Sequence, residues 1–262
     1  MFENLANWYI RTPSHPGKWR LERLLFKLMN GHFMKSVYGP ELRVRAGDAT
    51  NRFCITGALA KDYRDVYEEV RRLGPGDCFI DIGANCGLFT LTASQHVGRK
   101  GMVIAFEPSL PVFSDLIANI RRNGCQPVLP MAAAISEGTG VASFDSGSAG
   151  HTGVAHLSDT GATSVVTLNG SDLLHLLDPL LVGRPTLIKI DVEGHEAQVI
   201  RSIRPLIARA EVKRVVVEID PENLRRSGST AEEVYGIFAE AGFKPTRGIG
   251  AETHFNEVFV KE

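Results

Sequence analysis

Two acids and a run of small residues meet at one corner of this chain in a spacing that suits a nucleoside. The stretch Asp81-Ile82-Gly83-Ala84-Asn85-Cys86-Gly87 follows a short apolar run, and Glu107 stands 20 residues beyond Gly87. A glycine-rich turn between a strand and a helix lets backbone and ligand approach closely, and an acid about 20 residues further on can accept hydrogen bonds from both hydroxyls of a ribose. Gly83 suits a tight strand exit, and Gly87 suits close approach of the ligand where the helix starts. The turn is Asp-x-Gly-x-x-x-Gly, without the Gly-x-Gly-x-x-Gly arrangement that seats a pyrophosphate. Asp81 adds negative charge there, which disfavours a diphosphate and favours a ligand with an ammonium or sulfonium centre. Bracing the turn through backbone N–H groups is the other role open to Asp81.

A second group of reactive side chains lies in "LIKIDVEGHEAQVIRS". Lys189 and Asp191 are two apart on a strand and share a face. A buried lysine needs a partner, and Asp191 or Glu218 of the following strand would supply one. Asp191 stands at the sheet edge, where it either takes a substrate proton or holds the charged end of a cofactor. Glu193 and His195 are candidates on the substrate side, and Glu196 suits the first turn of a helix. Oxygen ligands for Mg²⁺ would come from Asp191 with Glu218, Asp220 or Asn223, a second mechanism beside metal-free base catalysis. Hydride transfer of the short-chain dehydrogenase kind would need Tyr-x-x-x-Lys. None of Tyr9, Tyr38, Tyr63, Tyr67 and Tyr235 has a lysine four residues later.

These side chains need a sheet to position them. Strands are expected at about 78–83, 102–107, 127–135, 186–191, 212–219 and 254–260, alternating with helices. That order specifies a parallel sheet covered on both faces, with ligands beyond the carboxyl ends of its strands. "ELRVRAG" and "NRFCITG" alternate like two short strands, and "KDYRDVYEEVRRLG" reads as a helix stopped by Gly74. The Gly/Ser/Thr-rich stretch 137–169 suggests a hairpin excursion near the site, bringing His151 or His156 to a substrate pocket. Residues 1–50 form an expected N-terminal helical extension to a domain over 51–262. In that extension Leu21, Leu24, Leu25 and Leu28 share one helical face, expected to dock on the main domain, with a dimer contact or a substrate lid as the alternatives.

With 262 residues, 29 basic and 30 acidic, the chain has a net charge of −1 and no bulk field for nucleic acid or an anionic membrane, although local patches remain open. The four cysteines lack CxxC spacing, which favours reduced thiols over a disulfide frame or a zinc site. Charges and prolines interrupt the first thirty or so residues before any apolar run reaches signal-peptide or membrane-spanning length, and a cytoplasmic location is expected.

The segments "DIGANCGLFTL", "AFEP", "AAAIS" and "LIKIDVEGHEAQVIRS" followed by "VVVEIDPE" resemble the FkbM family of S-adenosylmethionine-dependent methyltransferases, over about residues 60–260. The resemblance implies an α/β class I methyltransferase fold: a doubly wound, Rossmann-like, mostly parallel sheet of seven strands, one antiparallel, with helices on both faces. It implies that Asp81, Gly83, Asn85 and Gly87 form the cofactor turn, that Glu107 is the ribose acid and that Ser136 lies in the loop near the adenine. Family members often have Ser-Asp where this chain has Ser136-Glu137. Methyl transfer to an alcohol is an in-line displacement that needs positioning and a group to take the proton. Asp191 is the first candidate for that base, with Glu193 and His195 beside it. The expected function is S-adenosylmethionine-dependent O-methylation of a hydroxyl on a small molecule or sugar, without a resident metal, a nucleic-acid partner or a membrane partner. A homo-oligomer through the N-terminal helix, a nicotinamide-dependent oxidoreductase and an inactive cofactor-binding module are the other possibilities.

Overall fold

Short runs of β-branched and aromatic residues, each fully buried, set the sheet: "CFIDI" over Cys78–Ile82 and "TLIKI" over Thr186–Ile190 bury all five side chains. The computed structural model describes residues 2–58, 60–147, 152–158, 160–250 and 254–261. The expected pocket residue His151 lies outside them.

Helices α1 (Phe2–Ile10) and α2 (Lys18–Leu28) precede the hairpin β1 (Phe33–Lys35) and β2 (Glu41–Arg43), then α3 (Ala49–Thr56) and α4 (Arg64–Arg71). Alternation follows, with β3 (Cys78–Ile82), α5 (Leu88–Val97), β4 (Met102–Phe106), α6 (Leu110–Asn123) and β5 (Val128–Met131). An excursion holds β6 (Ala134–Ile135), β7 (Gly140–Asp145), β8 (His156–Leu157) and β9 (Thr163–Leu168) in a separate small sheet. The chain returns through α7 (Gly170–Leu181), β10 (Thr186–Ile190), α8 (Glu196–Ser202), α9 (Arg204–Ile207) and β11 (Val212–Ile219). It finishes with α10 (Pro221–Arg226), α11 (Ala231–Glu240), β12 (Phe243–Pro245) and β13 (Phe255–Lys261).

The main sheet has seven strands in the order β12-β13-β11-β10-β3-β4-β5, and only β13 runs against its neighbours. The order of winding reverses between β3 and β10, so their carboxyl ends open a crevice. Alternate residues feed two apolar cores. Ile80, Ile82, Ile188, Ile190, Val215 and Val217 face α7, α8 and α11. Phe79, Leu187 and Val216 face the opposite side, where α5 packs together with Phe26, Met29, Met34 and Leu42 of the N-terminal segment. Asp81, Lys189 and Glu218 share that second face by the two-residue period of a strand.

Three expectations change. "NRFCITG" is helical, because Asp48 caps α3 by accepting from Thr50 N at 3.0 Å and Asn51 N at 3.4 Å, and Gly57 ends it at φ 79°. The strand expected over 127–135 breaks after Met131, and Ala134–Ile135 pairs instead with β9 in the small sheet. Of the expected leucine face of α2 only Leu25 packs against the core: Leu21, Leu24 and Leu28 are 49%, 53% and 58% exposed, while Phe26 and Met29 turn inward.

Candidate active site

Gly83 is required by the neighbouring strand. At φ 83° its missing Cβ would lie 1.8 Å from the Asp191 carbonyl oxygen, so β3 and β10 can converge only on a glycine. The Asp191 N–H completes the junction by donating to Ile82 O at 3.1 Å. Gly87, at φ 90°, begins α5, and a Cβ there would stand 2.5 Å from Leu116 Cδ1 of α6. The space a side chain would take at both glycines is thus held by protein: at Gly83 this is the tight strand exit expected, while at Gly87 the sequence had suggested a ligand. Between them Asn85 adopts φ 49° and accepts from Cys86 N at 2.7 Å through its own Oδ1.

Glu107 follows β4 directly and is buried. Its Oε2 accepts from Asn85 N at 2.9 Å and its Oε1 from Ser109 N at 2.8 Å, which ties the acid to the turn. Burial pushes its pKa up to about 7, against the pull of those two N–H groups. A carboxylate has about four acceptor positions, so two remain for the hydroxyls of a ribose.

Lys189 joins the two strand ends. Its ammonium is 3.3 Å from Asp81 Oδ1 and 3.2 Å from Asp191 Oδ2, and it donates to Gly83 O at 3.0 Å. Burial alone would lower its pKa, but Asp191 and Asp81 raise it above the usual lysine value. Of the two partners expected from sequence, Asp191 is present; Asp81, its register partner on β3, takes the place of Glu218. Asp81 Oδ2 accepts from Thr90 Oγ1 at 2.6 Å, so this acid braces the corner through side chains.

The loop after β10 gathers carboxyl groups. Asp191, Glu193 and Glu218 each place an oxygen within 4.8 Å of the others, the kind of oxygen set that suits Mg²⁺ or Ca²⁺. Glu193 stands at φ 55° and accepts from Asn223 Nδ2 at 3.3 Å. Its pKa is pushed up to about 10 by burial first, then by Glu218 and Asp191. Burial and Asp191 also push Glu218 up to about 7, opposed by His254, whose Nε2 lies 3.1 Å from Glu218 Oε1. That hydrogen bond raises His254 to about 9. Of the other oxygen donors considered from sequence, Asp220 caps α10 and Asn223 donates from its Nδ2 to Glu193.

Glu196 stands in the first turn of α8, as expected, and is 1% exposed. Its Oε1 accepts from Val192 N at 3.0 Å and Gly194 N at 3.1 Å, fixing the loop that carries Glu193. His195 Nδ1 is buried without a hydrogen-bond partner among the described residues, and burial, His156 and Arg226 lower its pKa.

These groups wall one cavity of about 1020 Å³, counted with the solvent in its open mouth. Gly83, Asn85 and Glu107 line one side, Lys189, Asp191, Glu193, His195 and Glu218 another. Asp81 and Gly87 lie behind the wall. Ser136 is also off it: its N–H donates to Leu168 O and its carbonyl accepts from Ser202 Oγ, while Ala133, Ala134 and Ile135 line the cavity. The excursion closes over the site with Phe144, Gly153 and His156, and is tied to α3 by Thr152 Oγ1 donating to Asp48 Oδ2 at 2.6 Å. Tyr63 and Phe89, packed edge to face at 5.6 Å, complete the wall. No spacing in the sequence marks these two rings.

Residues 81–245 match the family described as Methyltransferase FkbM domain, more than half of the chain. The chain belongs to this family. It is 30% identical over 160 residues to the hexuronic acid methyltransferase AglP of Haloferax volcanii, a match covering 60% of this chain and 63% of that protein. Among solved structures, an S-adenosylmethionine-dependent O-methyltransferase from Thermotoga maritima aligns at TM-score 0.44 and 13% identity, covering 90% of this chain and 81% of that one. Fibrillarin from Aeropyrum pernix, solved with bound S-adenosylmethionine, aligns at TM-score 0.44 and 13% identity over 75% of this chain and 74% of that one.

S-adenosylmethionine is the cofactor of the FkbM methyltransferases, and the cavity fits it on two observations. Glu107 keeps unused acceptor positions beside a turn of small residues, Gly83 and Ala84, that lines the cavity. The opposite wall carries three carboxyl groups, Asp191, Glu193 and Glu218, whose oxygens can accept from a ligand's ammonium and face its sulfonium charge. No helix among the described residues is long and apolar enough to cross a membrane.

Proposed function

We propose that this FkbM-family protein is an S-adenosylmethionine-dependent O-methyltransferase acting on a hydroxyl of a sugar or similar small molecule. The observation that carries the reading is the Asp191 carboxylate, set at the end of β10 in the same cavity that Glu107 walls. When bound, S-adenosylmethionine supplies an electrophilic methyl group and a neutral leaving group. Glu107 holds the ribose through its two free acceptor positions. Asp191 takes the proton from the substrate hydroxyl, and Lys189 fixes the direction of its carboxylate. Glu193, protonated at neutral pH, donates a hydrogen bond to the substrate. His195, kept neutral by burial, is the second acceptor. The printed substrate class of the Haloferax relative supports a sugar acid as the first acceptor to try.

Transfer of labelled methyl from the donor to a panel of sugars and uronic acids tests the reading, with a methyl ether as the expected product. Donor binding without transfer to any hydroxyl would favour an inactive binding module. Thermal shift by a nicotinamide cofactor in place of S-adenosylhomocysteine would favour the oxidoreductase. The three carboxyl oxygens within 4.8 Å support a second reading in which a divalent cation favours the alkoxide. Activity that EDTA abolishes and Mg²⁺ restores would select it.

A further inference from the structure

Six of the fourteen large exposed apolar side chains among the described residues fall in the first 28 positions: Leu5, Trp8, Trp19, Leu21, Leu24 and Leu28. Single exposed apolar residues need no explanation, but a group of them does. On α2 they are ordered. Leu21, Leu24 and Leu28 follow i, i+3, i+7 spacing and form one stripe; Arg20, Arg23 and Lys27 repeat that spacing one residue earlier and form a second stripe beside it. Both stripes point outward, while Phe26 and Met29 anchor the opposite side of the helix in the core. The one acid of α2, Glu22, is turned away from solvent towards Lys18 at 3.7 Å, so the outward face carries basic charge only. Trp19, exposed in the first turn, borders the basic row on the side away from the leucines, with the guanidinium groups of Arg20 and Arg23 at 5.4 and 5.9 Å from its ring centroid. Lys18 fixes the helix in place by donating to the carbonyls of Ile10 and Thr12 at the end of α1.

We propose that the outward face of α2 docks on an anionic lipid surface. A leucine stripe flanked by a row of arginine and lysine, with an exposed tryptophan beside that row, matches the chemistry of the bilayer interface: acyl chains take the leucines, headgroup phosphates the basic row and the headgroup layer the indole. Charge distinguishes this occupant from a second copy of the chain. A like face would bring another basic row and no acid, whereas phosphates neutralise all three side chains. The near-zero net charge of the whole molecule does not prevent this, since surface attraction is felt within about a Debye length, ~8–10 Å.

Co-sedimentation of the full chain with phosphatidylcholine vesicles and with mixed phosphatidylcholine–phosphatidylglycerol vesicles tests the proposal. Binding to the mixed vesicles alone, weakened by added salt, is expected. The combined Arg20→Gln, Arg23→Gln and Lys27→Gln variant should bind about 10²-fold more weakly, about fivefold for each charge lost, the equivalent of ~1 kcal/mol per residue. Leu21→Ser with Leu24→Ser and Leu28→Ser should also lose binding. All six side chains are exposed, so the melting temperature should hold in both variants. Failure to bind mixed vesicles overturns the proposal. So does a dimer of the parent chain that the leucine variant converts to monomer, which would give the face to a second copy.

Discussion

Glu107→Gln separates the ribose contact from the architecture of the turn. In the parent each carboxylate oxygen accepts one backbone N–H, from Asn85 at 2.9 Å and Ser109 at 2.8 Å. A glutamine keeps one acceptor oxygen and turns its NH2 group towards the other N–H. One buried donor is then unpaired, at about 1–3 kcal/mol of stability. The ribose loses a charged acceptor as well, about 1.5–3 kcal/mol, or roughly 10- to 150-fold in the dissociation constant of S-adenosylhomocysteine. Proton linkage supplies the sharper test. Burial holds the Glu107 pKa near 7 in the free protein, and hydroxyls donating to the carboxylate would lower it on binding. Parent affinity should therefore weaken as pH falls below about 7, by up to about tenfold per unit, and the glutamine variant should show no such slope. The effect on folding has the opposite sign. The native state keeps this proton up to about 7 and the unfolded chain releases it near 4.5, so stability from this group is greatest below 4.5 and is lost as pH rises through 7. Calorimetric titration between about pH 6 and 8 brackets the transition. A flat parent profile, together with variant affinity within about threefold of the parent and so below the hydrogen-bond range, would refute the ribose assignment.

The remaining expectations concern the opposite wall and the corner. Gly83→Ala places a Cβ 1.8 Å from a backbone oxygen and should lower the melting temperature far more than Gly87→Ala, whose Cβ meets only the tip of Leu116; equal losses in thermal unfolding would contradict the packing account. Asp191→Asn should leave donor affinity close to the parent and reduce kcat by about 10²–10⁴, and a reduction under about threefold would remove Asp191 as the base. Lys189→Met leaves Asp81 and Asp191 facing each other without a cation and should cost about 3–5 kcal/mol of stability, read as a lower midpoint in urea. If Asp191, Glu193 and Glu218 bind a divalent cation, calorimetry at neutral pH should record proton release, because Glu193 holds its proton up to about 10 without one; cation binding without release would mean that Glu193 is no ligand.

Much of the sheet could be read from sequence because its strands are short, β-branched and bounded by turns, and because a two-residue period assigns faces without tertiary knowledge. The position of Glu107 was legible for the same reason, being tied to a strand end. Register was not. That Lys189 stands beside Asp81 follows from β3 and β10 pairing in phase, which leaves no local trace, and Glu218 looked equally suitable as its partner. His254 was missed because its importance comes from Glu218, 36 residues earlier, across an antiparallel pair of strands. The glycines were found for the right backbone reason, but their neighbours, Asp191 and Leu116, come from distant segments and could not be inferred from the turn itself. At α3 the local signals were present in Asp48 and Gly57, a cap at each end, and the apparent alternation of "NRFCITG" concealed them. For α2 the periodicity was correct and its direction was not, since a helix with apolar residues on two sides does not say which side meets the core.

The cavity also shows how one fold gives similar acids different work. Four glutamates line or brace it, and their environments separate them. Glu107 is pushed up to about 7 by burial against two N–H donors; Glu218 reaches about 7 under burial and Asp191, with His254 opposing. Glu196 rises to about 8 while serving as the brace of the loop, and Glu193, with four carboxyl neighbours and an amide partner, rises to about 10. Asp191 alone among the cavity acids has an ammonium at 3.2 Å. In the proposed mechanism the proton acceptor and the hydrogen-bond donor would come from the same short loop, two residues apart, one beside the Lys189 ammonium and the other beside the Asn223 amide. Lys189 reaches Asp191 because Gly83 lets the two strand ends converge. The glycine corner, first legible as a place for a ligand, consequently also sets which acids stand beside the Lys189 ammonium.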